Sequence, residues 1–282
     1  YHSGAVAERL ERDMVERLGV NVSKALSSEE GEEPADNTQL IIVRLDHDRC
    51  TVSADSSGAH LHQRGYRTAV TEAPIRETLA AALVLASGWD HRTPLVDPFC
   101  GSGTIPIEAA LIAASIAPGR NRGFRFMKWP GYDASEWQRV LAAAVRGEKP
   151  DGLPAIIGTD RSAAAIRAAT ENAERAAVTS FVRFEKQDAL AIVAGDSPGC
   201  VVTNPPYGVR LGDASESRRL MAQFGERLRR QFNGWRVAVM APPQLDRALG
   251  IPLNAELRTT NGGLRIAFLA GVVPNGQGPA GV

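Results

Sequence analysis

Pro94-Leu95-Val96-Asp97-Pro98-Phe99-Cys100-Gly101-Ser102-Gly103-Thr104 is the stretch on which the fold turns. Pro94 to Asp97 has strand character, and Thr104 to Ala117 continues as an apolar helix. Gly101-Ser102-Gly103 lies between them. A strand that enters a helix through such a reversal begins a crossover, and crossovers build parallel sheets. Glycines there let a bound molecule approach the backbone closely, and the helix start presents free N–H groups. The plainer alternative is a turn that only reverses the chain. Two ligand classes drop out at once. Pro106 stands where the dinucleotide fingerprint needs Gly or Ala, and the Gly-Lys-[Ser/Thr] of a phosphate loop is missing.

The alternation extends in both directions. Upstream, Pro74 suits the first turn of a helix through about Ser87, with Gly88 as its stop. Downstream come an irregular stretch, Pro118 to Tyr132, and a helix from Asp133 to Arg146. Strand Ala155 to Thr159, helix Ser162 to Ala177 with Ser162 as N-cap, and strand Phe181 to Lys186 follow. Next are strand Cys200 to Thr203, helix Ser215 to Phe232 and strand Arg236 to Met240. Ala255 to Thr260 and Leu264 to Ala270 close the pattern as a hairpin turning at Asn261-Gly262-Gly263. This predicts an α/β, Rossmann-like, doubly wound and mostly parallel seven-stranded sheet with a C-terminal antiparallel hairpin.

The N-terminal part reads differently. Val6, Leu10, Met14 and Leu18 share one stripe of a helix over residues 4 to 18, and Gly19 stops it. An acidic loop (Glu29, Glu30, Glu32, Glu33, Asp36) precedes two strands, Gln39 to Leu45 and Arg49 to Ala54, turned at Asp46-His47-Asp48. That is too little material for a free-standing domain. The expected division is a domain remnant over 1–58, a connecting segment and helix over 59–93, the sheet domain over 94–272, and a tail over 273–282. A start at Tyr1, without Met, is expected of a piece of a longer protein.

Composition narrows the function classes. Of 282 residues 44% are apolar and 23% charged, which describes a globular chain. Lys plus Arg and Asp plus Glu each number 32, so the net charge is 32 − 32 = 0 and a blanket polycation is excluded. Three scattered cysteines argue against a disulfide framework and a thiolate zinc site. His60-x-His62 has no further ligands at metal spacing, so no metal is expected. The longest apolar run, Ile105 to Ala117, is interrupted by Glu108 and falls short of the ~20 residues that span a bilayer. With no secretory signal, the chain is expected in the cytoplasm, off the membrane.

Three acids fall at three successive strand ends: Asp97, Asp160 in Gly158-Thr159-Asp160-Arg161, and Asp188 in Gln187-Asp188-Ala189. A carboxylate at the second position can accept two hydrogen bonds from a ribose diol, and one at the third can accept from an adenine amine. Separately each is equally a cap or turn residue. Asn204-Pro205-Pro206-Tyr207 follows the fourth strand. Its prolines lock the backbone, so the Asn204 side chain and the Pro205 carbonyl can together hold the two hydrogens of a planar exocyclic amine. The Tyr207 ring can stack on the base that carries it.

Asp97 to Gly103 with Asn204 to Tyr207 resemble the two signatures of class I S-adenosylmethionine-dependent amino methyltransferases. More narrowly, Leu61-His62-Gln63-Arg64-Gly65-Tyr66-Arg67 and Ala73-Pro74-Ile75-Arg76-Glu77-Thr78-Leu79-Ala80 resemble the THUMP-containing RNA guanine-N2 methyltransferases. The resemblance runs from about Asp55 to Ala270, and the part before it looks like the tail of a THUMP-like α+β domain. It implies S-adenosyl-L-methionine as cofactor, held by Asp97, Phe99, Cys100, Gly101, Ser102, Gly103, Thr104, Asp160, Arg161, Asp188, Ala189 and Asn204. It implies methyl transfer to a guanine N2 in rRNA or tRNA, carried by Asn204, Pro205, Pro206 and Tyr207. A DNA adenine or protein glutamine methyltransferase shares the Asn-Pro-Pro-Tyr motif, and a non-catalytic RNA-binding protein is the remaining alternative. Two basic stretches suit an RNA partner: Arg120, Arg122, Arg125 and Lys128 among Phe124, Phe126 and Trp129, and the arginines 218, 219, 227, 229 and 230. Core-packed aromatics and a solvated helix face explain them equally well.

Overall fold

The computed structural model describes residues 3–19, 22, 38–68, 75–207, 214–242, 245, 247–261 and 263–275. The acidic loop at 29–36, Pro74 and Gly262 lie outside the described residues. The chain divides into two compact units, Tyr1–His60 with Gly123–Asp133, and Leu61–Arg122 with Ala134–Val282. In the first, helix α1 (Ser3–Leu18) precedes an antiparallel pair, β1 (Ile41–Asp46) and β2 (Arg49–Ala54), in register from Ile41↔Ala54 to Asp46↔Arg49. His47, at φ 52°, closes the turn in the left-handed region that short hairpins need. A 3₁₀ turn, Arg125–Lys128, joins this unit: Phe126 N–H donates to the Ser56 carbonyl at 3.1 Å, and Trp129 Nε1 donates to Gln39 Oε1 at 2.7 Å.

The second unit is built on one seven-stranded sheet, ordered β5-β4-β3-β6-β7-β9-β8. Its parallel strands are β3 (Leu95–Asp97), β4 (Ile156–Asp160), β5 (Val182–Lys186), β6 (Cys200–Thr203) and β7 (Arg236–Ala241). The hairpin β8 (Leu253–Asn261) and β9 (Leu264–Val272) adds the antiparallel edge, with β9 paired to β7. The order runs outward from β3 through β4 to β5, and the other way through β6 to β7. The strand order therefore reverses between β3 and β6, where open α/β sheets bind ligands at their strand C-termini.

The strands explain why the sheet is covered twice. Val237, Val239 and Ala241 pack in one cluster with α6 (Ala214–Gln231), through Met221, Phe224 and Leu228. Ala238 and Met240, alternating with them, pack in the other with α2 (Glu77–Ala86) and α3 (Thr104–Ala113). Strand β9 repeats the alternation: Ile266, Phe268 and Ala270 face one way, Ala267 and Leu269 the other. All five are buried, so this strand reads as a continuous apolar run rather than a polar–apolar one. Helix α5 (Ala163–Arg175) joins the α2–α3 face through Ala173, while α4 (Ala134–Arg146) contributes no buried residue.

Two helices end earlier than their sequences suggest. Expected to reach Ala117, α3 stops at Ala113. Ser115 takes φ 55°, with Ser115 N–H on Ile112 O and Ile116 N–H on Leu111 O. Expected to reach Ala177, α5 stops at Arg175 in the same way, with Ala177 at φ 56° and Val178 N–H on Ala173 O. Both are Schellman closures made without glycine.

Candidate functional site

Asp97 ends β3, Asp160 ends β4, Asp188 lies two residues beyond β5 and Asn204 follows β6, so four adjacent strands deliver them to one edge. Asp97 is 1% exposed. Its Oδ1 accepts from Phe99 N–H at 3.1 Å and from the Thr203 hydroxyl, on the neighbouring strand end, at 2.6 Å. Its Oδ2 is buried without a hydrogen-bond partner among the described residues. Burial raises this carboxyl from 3.8 to about 7 against those two bonds, and Asp160 adds to the rise. An orphaned carboxylate oxygen at a sheet's ligand edge fits a cationic or N–H-bearing ligand group.

The loop after Asp97 is fixed from several sides. Gly101 and Gly103 take φ 52° and 83°, and Gly103 is the N-cap of α3 with no side-chain cap bond. Gly101 N–H donates to Asp160 Oδ2 at 3.1 Å, Cys100 N–H to the Thr159 carbonyl at 2.9 Å, and Phe99 meets Phe224 of α6 edge to face. Cys100, Ser102 and Thr104 are buried. Packing by itself accounts for the glycine at 103: a Cβ there would lie 2.8 Å from Phe184 Cζ and 2.9 Å from Ala169 Cβ. Gly103→Ala should therefore cost about 2 kcal/mol, from a left-handed backbone and an overfilled contact. Thermal denaturation checks this, and an unchanged midpoint would refute the packing role.

Asp160 braces two segments at once. While Oδ2 holds the glycine loop, Oδ1 accepts from Ser162 N–H at 2.8 Å, and Ser162 itself is the N-cap of α5. Each oxygen keeps a second lone pair, so these bonds leave room for a diol. Asp188 is exposed and closes its own turn, accepting from Leu190 N–H at 2.7 Å, with Ala189 buried behind it. Arg161 is exposed. Asn204 is 9% exposed and its Oδ1, like Asp97 Oδ2, is buried with no partner among the described residues. Pro205 is buried. Pro206 and Tyr207 are half-buried, and the Tyr207 side chain packs against both apolar clusters.

Some residues that matter here carry no local signal. Glu108 on α3, 1% exposed, accepts from the Tyr66 hydroxyl at 2.8 Å and pairs with Arg64 Nε at 3.0 Å. Burial pushes its carboxyl up to about 7, partly offset by Arg64 and the Tyr66 bond. Arg67 pairs with buried Glu77 at 3.4 Å and donates to the Ile75 carbonyl at 2.6 Å. The 64–67 segment is thus pinned by two buried acids on two helices. Only a helical position facing an arginine identifies such an acid, and sequence spacing cannot show that pairing.

The basic stretches divide. On α6, Arg227 donates to the Ile192 and Ala191 carbonyls, Arg229 to the Leu249 and Gly250 carbonyls, and Arg230 pairs with Glu226. Arg227 and Arg229 are thus tied to backbone carbonyls, Arg230 forms an ion pair on the helix surface, and Arg218 and Arg219 lie exposed near the start of the helix. Arg120 pairs with Glu148 at 2.5 Å in the second unit. Arg125, Lys128 and the aromatics belong to the first, where Phe124 and Phe126 stack at 5.4 Å. Among the described residues no helix is long and apolar enough to cross a membrane, and no three His, Cys, Asp or Glu could hold a metal.

Residues 64–249 match the family described as UPF0020, RMKL-like, methyltransferase domain. A ribosomal RNA large subunit methyltransferase K/L from Syntrophotalea carbinolica is 44% identical over 240 residues, covering 80% of this chain and 34% of that protein. One from Shewanella baltica is 40% identical over 225 residues, covering 77% and 32%. The chain thus spans about a third of the length of these curated relatives. Among solved structures, SMU.472, assigned as a methyltransferase and complexed with SAH, superposes with a TM-score of 0.77 at 30% identity, covering 97% of this chain and 70% of that one. A Listeria monocytogenes protein assigned as an N6-adenine-specific DNA methylase gives 0.73 at 33%, covering 94% and 66%. With its sheet order, its glycine loop and this likeness over most of its length, the chain belongs to the RMKL-like methyltransferase domain family.

Proposed function

We propose that this chain carries the methyl-transfer step of an S-adenosylmethionine-dependent RNA guanine-N2 methyltransferase acting on rRNA in the cytoplasm. The observation that carries the reading is the pair of orphaned acceptors, Asp97 Oδ2 and Asn204 Oδ1, on either side of the point where the strand order reverses. SAH in the solved relative is what remains of S-adenosylmethionine once its methyl group has been given up, which supports that donor here. The donor supplies an electrophilic methyl on a sulfonium. Asp97 Oδ2 would accept from its amino-acid part, Asp160 from its ribose and Asp188 from its adenine. The loop 99–104, with Arg161 and Ala189, would line the same groove.

On the acceptor side, Asn204 Oδ1 and the Pro205 carbonyl would receive the hydrogens of the target amine. That favours a pyramidal nitrogen with its lone pair aimed at the methyl–sulfur axis, and stabilises positive charge as it develops. Pro205 and Pro206 keep these acceptors in place, and Tyr207 would stack on the base. The product ammonium is very acidic, so water can take its proton and no general base is required. The relatives' ribosomal RNA names favour RNA as the substrate. Residues 1–58 would then be the tail of a THUMP-like RNA-binding part. The Listeria neighbour's assignment supports a second reading, methylation of an adenine N6 in DNA by the same amine chemistry.

Titration calorimetry should show one S-adenosylmethionine bound per chain at roughly micromolar affinity. Absence of heat would sink the cofactor assignment. Large-subunit rRNA from a strain lacking the enzyme, incubated with protein and donor, should yield N2-methylguanosine by nucleoside mass spectrometry. Methyl on an adenine N6, a ring nitrogen or a ribose oxygen would overturn the guanine assignment.

A further inference from the structure

We infer that Asn172 and Arg175 on α5 are positioning residues for the methyl donor, holding the peptide between Ser102 and Gly103 in its binding shape. The inference rests on the cofactor reading above. Asn172 is fully buried. Its Nδ2 donates to the Ser102 carbonyl at 3.0 Å, and its Oδ1 accepts from Arg175 Nη2 at 2.7 Å. Arg175 Nε donates in turn to the Tyr66 carbonyl at 2.9 Å. Tyr66 donates its hydroxyl to Glu108 of α3. One continuous chain of donors therefore links the 64–67 segment to the glycine loop.

The Ser102 carbonyl is the place where such a tie has most effect. It belongs to the peptide joining Ser102 to Gly103, in a loop with left-handed glycines on both sides of Ser102. Glycine tolerates either sign of φ, so this peptide can flip with little steric opposition. A flip would turn the carbonyl toward the groove and reverse the Gly103 N–H, which now donates to the Cys100 carbonyl at 2.8 Å. Asn172 opposes it directly. Arg175 decides which end of the amide faces the loop, because a guanidinium can only donate and so claims the oxygen. Helix propensity does not explain an asparagine there, since Ala suits a helix better.

Calorimetry with S-adenosylhomocysteine on the 282-residue chain tests this, because lost folding and lost positioning move different quantities. Partial unfolding lowers the stoichiometry, whereas a misaligned loop raises Kd at full stoichiometry. Asn172→Asp keeps the size and the Arg175 pair but sets an oxygen against the Ser102 carbonyl. It should raise Kd at least tenfold with one site per chain. Arg175→Met, which keeps the packed stem and frees the amide, should raise it severalfold, and carries the test if the first variant does not fold. Unchanged Kd in a folded variant, or reduced stoichiometry at unchanged Kd, would overturn the inference. No binding to the unaltered chain would overturn the cofactor reading itself.

Discussion

Asn204→Ala should slow methyl transfer by about a hundredfold or more, the scale for removing one aligned polar group from a transition state. Donor binding should change much less, because in this mechanism the side chain faces mainly the acceptor amine. Stability should hold as well. Asn204 Oδ1 already lacks a partner among the described residues, so its removal leaves no new buried orphan. The expected signature is an intact fold, a donor Kd that shifts far less than the rate falls, and a collapsed chemical rate. Single-turnover transfer from labelled S-adenosylmethionine to RNA from a strain lacking the enzyme measures it. Transfer at the parental rate would reduce Asn204-Pro205-Pro206-Tyr207 to a rigid turn.

The parallel sheet was legible because its strands are short apolar runs between punctuating glycines and prolines. Cys200–Thr203 matches the sequence reading to the residue, and the other six strands agree to within two residues at each end. The helix ends were less legible. Gly88 gives away the stop of α2, but Ser115 and Ala177 enter the left-handed region without glycine, held by carbonyls of the preceding turn. Such closures depend on packing around the helix end rather than on a breaker residue. The irregular stretch after Pro118 contains a further boundary that periodicity could not reveal. Gly123–Asp133 groups with the N-terminal unit, through hydrogen bonds to Ser56 and Gln39 far away in sequence.

The place of the candidate site was legible, since the position of strand-end residues along the sheet follows from chain order. What each group does with its neighbours was not. Gly103 invites a ligand-contact reading, yet Phe184 and Ala169 already require it. Arginines on α6 look alike in sequence, and only tertiary contact separates Arg227 and Arg229, bound to backbone carbonyls, from Arg218 and Arg219. Asp160 shows the same ambiguity, because bracing the glycine loop and closing the turn before α5 use both of its oxygens without excluding a ligand.

Asp97→Asn should weaken S-adenosylmethionine binding by about 3 kcal/mol, over a hundredfold, while making the free protein more stable at alkaline pH. Both effects come from one buried oxygen. With its carboxyl raised from 3.8 to about 7, the folded protein holds a proton that the unfolded chain has already released across that interval. The stabilisation from this protonated group is complete below about 4 and is lost as pH rises through 7. Glu108, raised from 4.5 to about 7, acts in the same window and direction. Above 7 the free protein therefore carries a desolvated carboxylate, and a bound ammonium beside Oδ2 would compensate it. Donor affinity should rise with pH through 7 in the parent and much less in Asp97→Asn. The variant's gain in stability, about 1 kcal/mol at pH 8, should fade near pH 5.5, where the parent carboxyl is neutral. Calorimetry and thermal denaturation at those two pH values measure both. Equal affinity of parent and variant at pH 8 would show that Asp97 does not hold the donor, whatever its effect on stability.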